Sequence, residues 1–162
     1  MAISFIRIDD RIIHGQVVTR WAMERKCDGL LVVNDKAAVN DVLKSALKAA
    51  STKKTLIYTY EGFLKKMDQA ISSEKQYFLI TKDPMTMKTL LVDANMKTGL
   101  DTINVGPQSA REGTTHINKN CDITPEEIAA FKELYSKGYE IDFRLVPDST
   151  SVLWSQIKEK FN

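Results

Sequence analysis

Little in this chain points outward. It has only two cysteines, Cys27 and Cys121, far apart and without a CxxC spacing, so neither a disulfide framework nor a zinc site of close ligand spacing is on offer. Such sparse cysteine fits a reducing, cytoplasmic compartment. No apolar run approaches the roughly 20 residues that span a bilayer. The N-terminus opens on a strand-like pattern, not on the charged segment and apolar core of a secretion signal. Neither sign of charge prevails. With 23 basic and 21 acidic residues the net charge is +2, which gives no electrostatic footprint for nucleic acid or an anionic lipid surface. Any membrane role therefore runs through a partner. No linker, low-complexity tract or internal repeat divides the sequence, and residues 1–162 read as one domain with room for a sizeable core.

What is there alternates. Ile3, Phe5, Ile6 and Ile8 form an apolar run that reads as a buried first strand, and Val17, Val18, Trp21 and Ala22 return at helical spacing. Gly29–Asp35 reads as a second strand, Thr55–Tyr60 as a third, Tyr77–Thr81 as a fourth, Thr102–Gly106 as a fifth and Ile141–Val146 as a late one. Between them the spacing predicts helices. One runs over Ala37–Ala50 with Val39, Val42, Leu43, Ala46 and Leu47 on its buried face, and another carries Phe63, Leu64, Met67, Ala70 and Ile71. A third is capped by Asp83 before Pro84 and stopped at Gly99, and a last one covers Ser149–Phe161. Thr124-Pro125-Glu126-Glu127 is a capping box with proline at the first helical position, and Lys137-Gly138 closes that helix. The polar stretch Pro107–Asn120 predicts a loop with a short strand around His116–Asn118. The strands are continuous apolar runs rather than alternations, as in sheets covered on both faces. The pattern predicts an α/β fold: an open, mainly parallel sheet with helices on both faces.

The chemistry gathers in residues 7–21, RIDDRIIHGQVVTRW. If the first strand ends near Ile8, then Asp9–Gly15 lies beyond its carboxyl end, where open α/β proteins place their sites. Gly15 and Gln16 open the next helix, whose first N–H groups lack internal partners and favour an anion. A phosphate beside His14 would meet those donors, and Arg11 adds a charge-assisted contact. Asp9 or Asp10 is placed to orient the imidazole by accepting its second N–H, leaving the other nitrogen free to attack. The bland reading of the same residues is a hydrogen-bonded turn with a surface histidine. His116 reads as a surface or edge residue rather than an assistant at the site, Asp35 as lining the cleft or capping the next helix, Trp21 as core packing rather than a sugar platform, and Arg111 as a loop residue that either approaches phosphate or a partner or is solvated.

This segment resembles the active-site signature of the IIB component of the bacterial sugar phosphotransferase system, mannose–fructose–sorbose class: R-[IV]-D-[DS]-R-[LI]-[IL]-H-G-Q-V followed by a tryptophan. The resemblance continues through LLVVND, INVG at 103–106, REGT at 111–114 and VPD at 146–148. It departs from the pattern at Ala50–Lys54 and at Pro107-Gln108-Ser109. It implies that His14 carries a phosphoryl group on Nδ1, received from a phosphohistidine of a IIA donor. The group then passes to a sugar of the mannose, fructose, sorbose or amino-sugar class entering through membrane components IIC and IID. It implies an α/β fold, a cytoplasmic protein held peripherally at the membrane by IIC and IID, and no metal or cofactor; a homodimer stays open. Three rivals share parts of these features. A histidine phosphatase would have R-H-G, but Ile13 stands in the arginine's place. A nucleotide-binding domain would need a glycine-rich phosphate loop after a strand, and none is present. A regulatory module would keep the fold without the chemistry.

Overall fold

The computed structural model describes residues 2–162. Nine strands are present among them: β1 (Ile3–Ile8), β2 (Gly29–Val33), β3 (Lys54–Tyr58), β4 (Tyr77–Thr81), β5 (Thr102–Val105), β6 (Thr115–Asn118), β7 (Cys121–Ile123), β8 (Glu140–Phe143) and β9 (Val152–Leu153). Seven form one sheet in the order β3-β2-β4-β1-β5-β8-β9, and β6 and β7 pair as a separate antiparallel hairpin. All pairings in the main sheet are parallel except the outermost, β8 with the two-residue β9.

The register sets the site's platform. Tyr58, Val33, Thr81, Ile8, Val105 and Phe143 lie side by side, and each is the last residue of its strand. Six parallel strands therefore finish on one line, and the loops that follow them form a single rim. The chain leaves β1 through α1 (Gly15–Ala22) toward β2 on one side, and leaves β5 through the hairpin and α7 (Pro125–Ser136) toward β8 on the other. The point where neighbouring strands diverge in this way is the crevice where open α/β sheets bind ligands.

Each face has its own apolar core. On one, Ile6, Ile8, Leu31, Val33, Leu79, Ile103, Val105, Ile141 and Phe143 meet Phe63, Met87, Phe131, Leu134 and Trp154. On the other, Phe5, Leu30, Val32, Ile57, Phe78 and Ile80 meet Val17, Val18, Trp21, Ala37 and Leu47. Adjacent strand residues point to opposite faces, so both sides of β2 and β4 are apolar and buried, as the runs LLVV and FLIT predict.

Several boundaries differ from the sequence reading. The helix over Ala37–Ala50 is two, α2 (Asp35–Val39) and α3 (Asp41–Ala49). Asn40 breaks it by taking extended angles and capping Leu43 N with its side chain. With that bend, Val39 and Val42 are 75% and 82% exposed instead of buried. The Phe63–Ile71 pattern is likewise two helices, α4 (Tyr60–Leu64) and α5 (Met67–Ser72). After α6 (Pro84–Lys88), capped by Asp83 as expected, a π-helical turn over Thr89–Asp93 follows. The stop is Asn95 at φ 54°, not Gly99. The last segment is not one helix: β9 precedes α8 (Trp154–Ile157), and a 3₁₀ turn over Lys158–Phe161 ends it. The capping box at Thr124 and Glu127 and the left-handed Gly138 beyond α7 are as the sequence predicts.

Candidate functional site

The segment between β1 and α1 is tied at both margins. Asp9 N donates to Thr81 O at 3.0 Å and Asp10 N to Pro107 O at 3.0 Å, which holds the chain between the ends of β4 and β5. A tight turn follows. Arg11 N donates to the Asp9 carboxylate at 2.9 Å, Ile12 N to Asp9 O at 2.9 Å, and Ile13 N to Arg11 O at 2.7 Å. Ile12 and Ile13 bury their side chains in the core on the α1 side of the sheet. Ile12 does so at φ 62°, a left-handed angle that a β-branched residue adopts only under constraint.

His14 takes the N-cap position of α1 at φ −119° and ψ 109°, half-buried. Its side chain caps nothing. Following the backbone donors along the loop, the amides of residues 9–13 are all satisfied, and that of Val18 reaches His14 O. Among the described residues, the N–H groups of His14, Gly15, Gln16 and Val17 have no partner. No acidic side chain lies in the first turn, so the positive end of the helix dipole is uncompensated. Arg11 is exposed and, among the described residues, unpaired. Gly15 is required by packing: a Cβ there would collide with the Ala50 carbonyl at the end of α3. A shallow depression lined by Gly15, Gln16, Thr19, Arg20 and the Ala50–Thr52 turn opens beside these groups. The start of α1 is thus a cradle of free backbone donors with His14 at its N-cap position.

The aspartates do other work. Asp10 does not orient His14; its carboxylate accepts from Ser109 N at 2.8 Å and Ser109 Oγ at 2.5 Å, which ties the loop to the segment after β5. Asp9 is 1% exposed and pairs with Arg7, itself 2% exposed, at 2.9 Å. Among the described residues no side chain hydrogen-bonds the imidazole. Burial lowers the Arg7 pKa from its ordinary value, and Asp9 opposes that shift. Arg7 also donates to Asn104 Oδ1 and, at 3.2 Å, to Leu145 O. Gly106 passes so close that a Cβ would strike the guanidinium.

Other sequence candidates stand apart from the cradle. Arg111 pairs with Glu127 and donates to Ser109 O, so it braces the loop after β5. His116 is exposed on β6 with Nδ1 3.1 Å from Asp122. Asp35 accepts from Tyr60 N at 2.7 Å, joining α2 to α4. Trp21 is core: it stacks on Phe5 and donates to Leu145 O at 3.0 Å. Among the described residues no cluster of histidine, cysteine, aspartate or glutamate is placed to hold a metal ion. Sequence reasoning passed over Arg7, Asn104 and Ser109. The first two carried a signal, since each is a polar residue inside an apolar strand, Arg7 between Ile6 and Ile8 and Asn104 between Ile103 and Val105.

An open, mainly parallel sheet with free helix N-terminal donors and a histidine at its switch point is an α/β arrangement of the kind that binds ligands in this crevice. The sequence comparisons narrow that class. The family model for the sorbose-subfamily IIB component of the phosphotransferase system matches residues 3–162, and the chain belongs to that family. It is 30% identical over 165 residues to the sorbose-specific EIIB component of Lacticaseibacillus casei, covering 99% of this chain and 98% of that protein. It is 31% identical over 150 residues to the mannose-specific EIIAB component of Escherichia coli (strain K12), covering 90% of this chain and 45% of that longer protein. The crystal structure of the IIBSor domain of the sorbose permease from Klebsiella pneumoniae superposes with a TM-score of 0.86 at 27% identity, covering 98% of each chain. The chain is thus a IIB component of a sugar phosphotransferase system of the sorbose and mannose class.

Proposed function

We propose that this chain is a phosphocarrier whose His14 takes a phosphoryl group from a phosphohistidine of a IIA protein and hands it to a sugar entering through IIC and IID. The observation that carries the reading is the uncapped start of α1: four unpartnered amides and an unpaired Arg11 around the one histidine in the loop. A ring nitrogen of His14 attacks the donor's phosphorus. The new N–P bond forms as the donor's N–P bond breaks, and the donor imidazole leaves. Charge on the equatorial oxygens falls on the α1 amides of Gly15 and Gln16 and on Arg11. In the second step a sugar hydroxyl oxygen attacks phosphorus, the new O–P bond forms as the His14 N–P bond breaks, and the hydroxyl proton ends on the departing ring nitrogen, which leaves His14 a neutral imidazole. The phosphoryl group itself supplies the missing helix cap, so the phosphorylated carrier is stabilised by the residues that receive it. The family name on relatives supports the partners, and a IIA portion fused to a IIB portion is named in the mannose-specific EIIAB relative. The sugar is of the mannose, fructose, sorbose or amino-sugar class.

The test is transfer itself. The protein is mixed with phosphoenolpyruvate, the general phosphotransferase proteins and a cognate IIA, and acid-labile phosphate is mapped by intact and peptide mass. Label on residues 7–21 of the wild type and none in His14→Ala is the expected result. No label with a verified IIA would sink the carrier reading and favour a regulatory module.

A further inference from the structure

The loop that presents His14 is suspended from a buried charge pair that touches nothing in the cradle directly. Arg7 projects from β1 on the α1 side of the sheet, fully buried between Asp9, Asn104 on β5 and the Leu145 carbonyl beyond β8. Asp9 uses one carboxylate oxygen for Arg7 and the other for the Arg11 amide, while its carbonyl takes the Ile12 amide. On the far side of the loop, α1 is fastened by Trp21 Nε1 to Leu145 O, the carbonyl that Arg7 also uses. Both margins of the His14 loop therefore hang from one carbonyl in the return segment after β8.

We propose that the Arg7–Asp9 pair and the shared Leu145 carbonyl act as a positioning device for His14, holding the loop in the folded turn that keeps Ile12 left-handed and leaves the α1 amides open. This inference rests on the carrier reading above. Three observations carry it beyond packing. A buried ion pair is often no better for stability than apolar residues of the same volume, because desolvation offsets the attraction. An apolar pair, however, offers no acceptor for the Arg11 amide. A β-branched residue at φ 62° persists only where its surroundings over-determine it; of the three bonds that fix the backbone around Ile12, two, from the Arg11 and Ile12 amides, end on Asp9, and the third joins Ile13 N to Arg11 O. Finally, Gly106 leaves room for the guanidinium, so the neighbouring strand is built around it. Arg7 and Asp9 act through the backbone of Arg11 and Ile12 and contact no reacting atom, so they are positioning residues and not catalytic ones.

The experiment measures phosphoryl transfer from phosphorylated IIA through the full chain to sugar, with membranes carrying IIC and IID so that the carrier turns over, under steady-state conditions. Asp9→Asn is expected to keep KM for the phosphodonor within about twofold, since the docking surface is unchanged, and to lower kcat about 10²-fold, the effect of misplacing a reacting group by about an ångström. The double variant Arg7→Met/Asp9→Leu fills the same space without charge and is expected to fold yet transfer as slowly. Folded variants with wild-type kcat, or with a raised KM and unchanged kcat, would overturn the proposal. Amide exchange in the wild type provides a measure that needs no variant. The Arg11 and Ile12 amides are expected to be protected, and exchange at open-loop rates would overturn the proposal. Failure of the carrier reading looks different: the wild type itself takes no phosphate, while the exchange result still decides whether the loop is held.

Discussion

At the scale of single residues, the site depends on small side chains being small as much as on large ones being reactive. Gly15 shows this. Alanine is the better helix former by about 1 kcal/mol, so Gly15→Ala would stabilise α1 if propensity alone mattered. The added Cβ meets the Ala50 carbonyl, a backbone atom that moves only with α3. The expected outcome is a net loss of about 1–3 kcal/mol, read as a lower denaturation midpoint with an unchanged slope; a gain in stability would show that α3 yields freely. Residue identity was legible where the chemistry is local. The glycine after His14, the arginine three residues before it and the helix start follow one another along the chain, and a strand–loop–helix pattern exposes them. The role of Asp10 was not legible. Its partner is Ser109, 99 residues away, and no local pattern says which way a loop carboxylate turns. Asp9 was hidden for the same reason: its meaning depends on Arg7, which in turn depends on Asn104 on β5 and Leu145 beyond β8, both far along the chain.

At the scale of elements, caps decide boundaries that periodicity blurs. The apolar spacing over Ala37–Ala50 continues through Asn40, yet the asparagine side chain satisfies the Leu43 amide and starts a new helix there. That capping residue was present in the sequence, but a continuous apolar spacing outvoted it. The capping box of α7 was legible because threonine, proline and glutamate agree. It also does more than close a helix. Glu127 is buried, accepts from Thr124 N at 2.8 Å, and pairs with Arg111. Thr124→Ala is therefore expected to cost about 1 kcal/mol, the value of an N-cap. Glu127→Ala is expected to cost more, since it also strips the partner from Arg111 and loosens the segment that carries Ser109. Chemical denaturation of the two variants checks the order; equal losses would show that the Arg111 contact contributes nothing.

At the scale of the whole molecule, the two cysteines sit on opposite sides of the sheet, Cys27 in one core and Cys121 in the other. Burial pushes both thiols above their ordinary value, and for Cys121 the carboxylates of Glu127 and Asp122 add to it. The sign follows. Thiolates form first in the unfolded chain, so the stabilising difference is complete below pH 9.0 and is lost as pH rises above it. Iodoacetamide at pH 8 is expected to leave both cysteines unmodified in the folded protein and to label both after unfolding, as mass spectrometry would show. Above pH 9 stability is expected to fall less steeply in Cys121→Ala than in the wild type. The fold class itself was legible because alternating short apolar runs and helical spacings admit few arrangements. The strand order was not, since which strands neighbour each other depends on contacts between cores. The shared finishing line of the six parallel strands has a further consequence for how such a protein diversifies. Because every rim segment starts from a strand end fixed by its neighbours, a longer or differently charged segment after β5 or β8 alters the outline a partner meets without altering the register beneath it. The sheet works as a keyboard whose keys are set at one height, and a new partner calls for new lettering on the keys while the frame stays as it is.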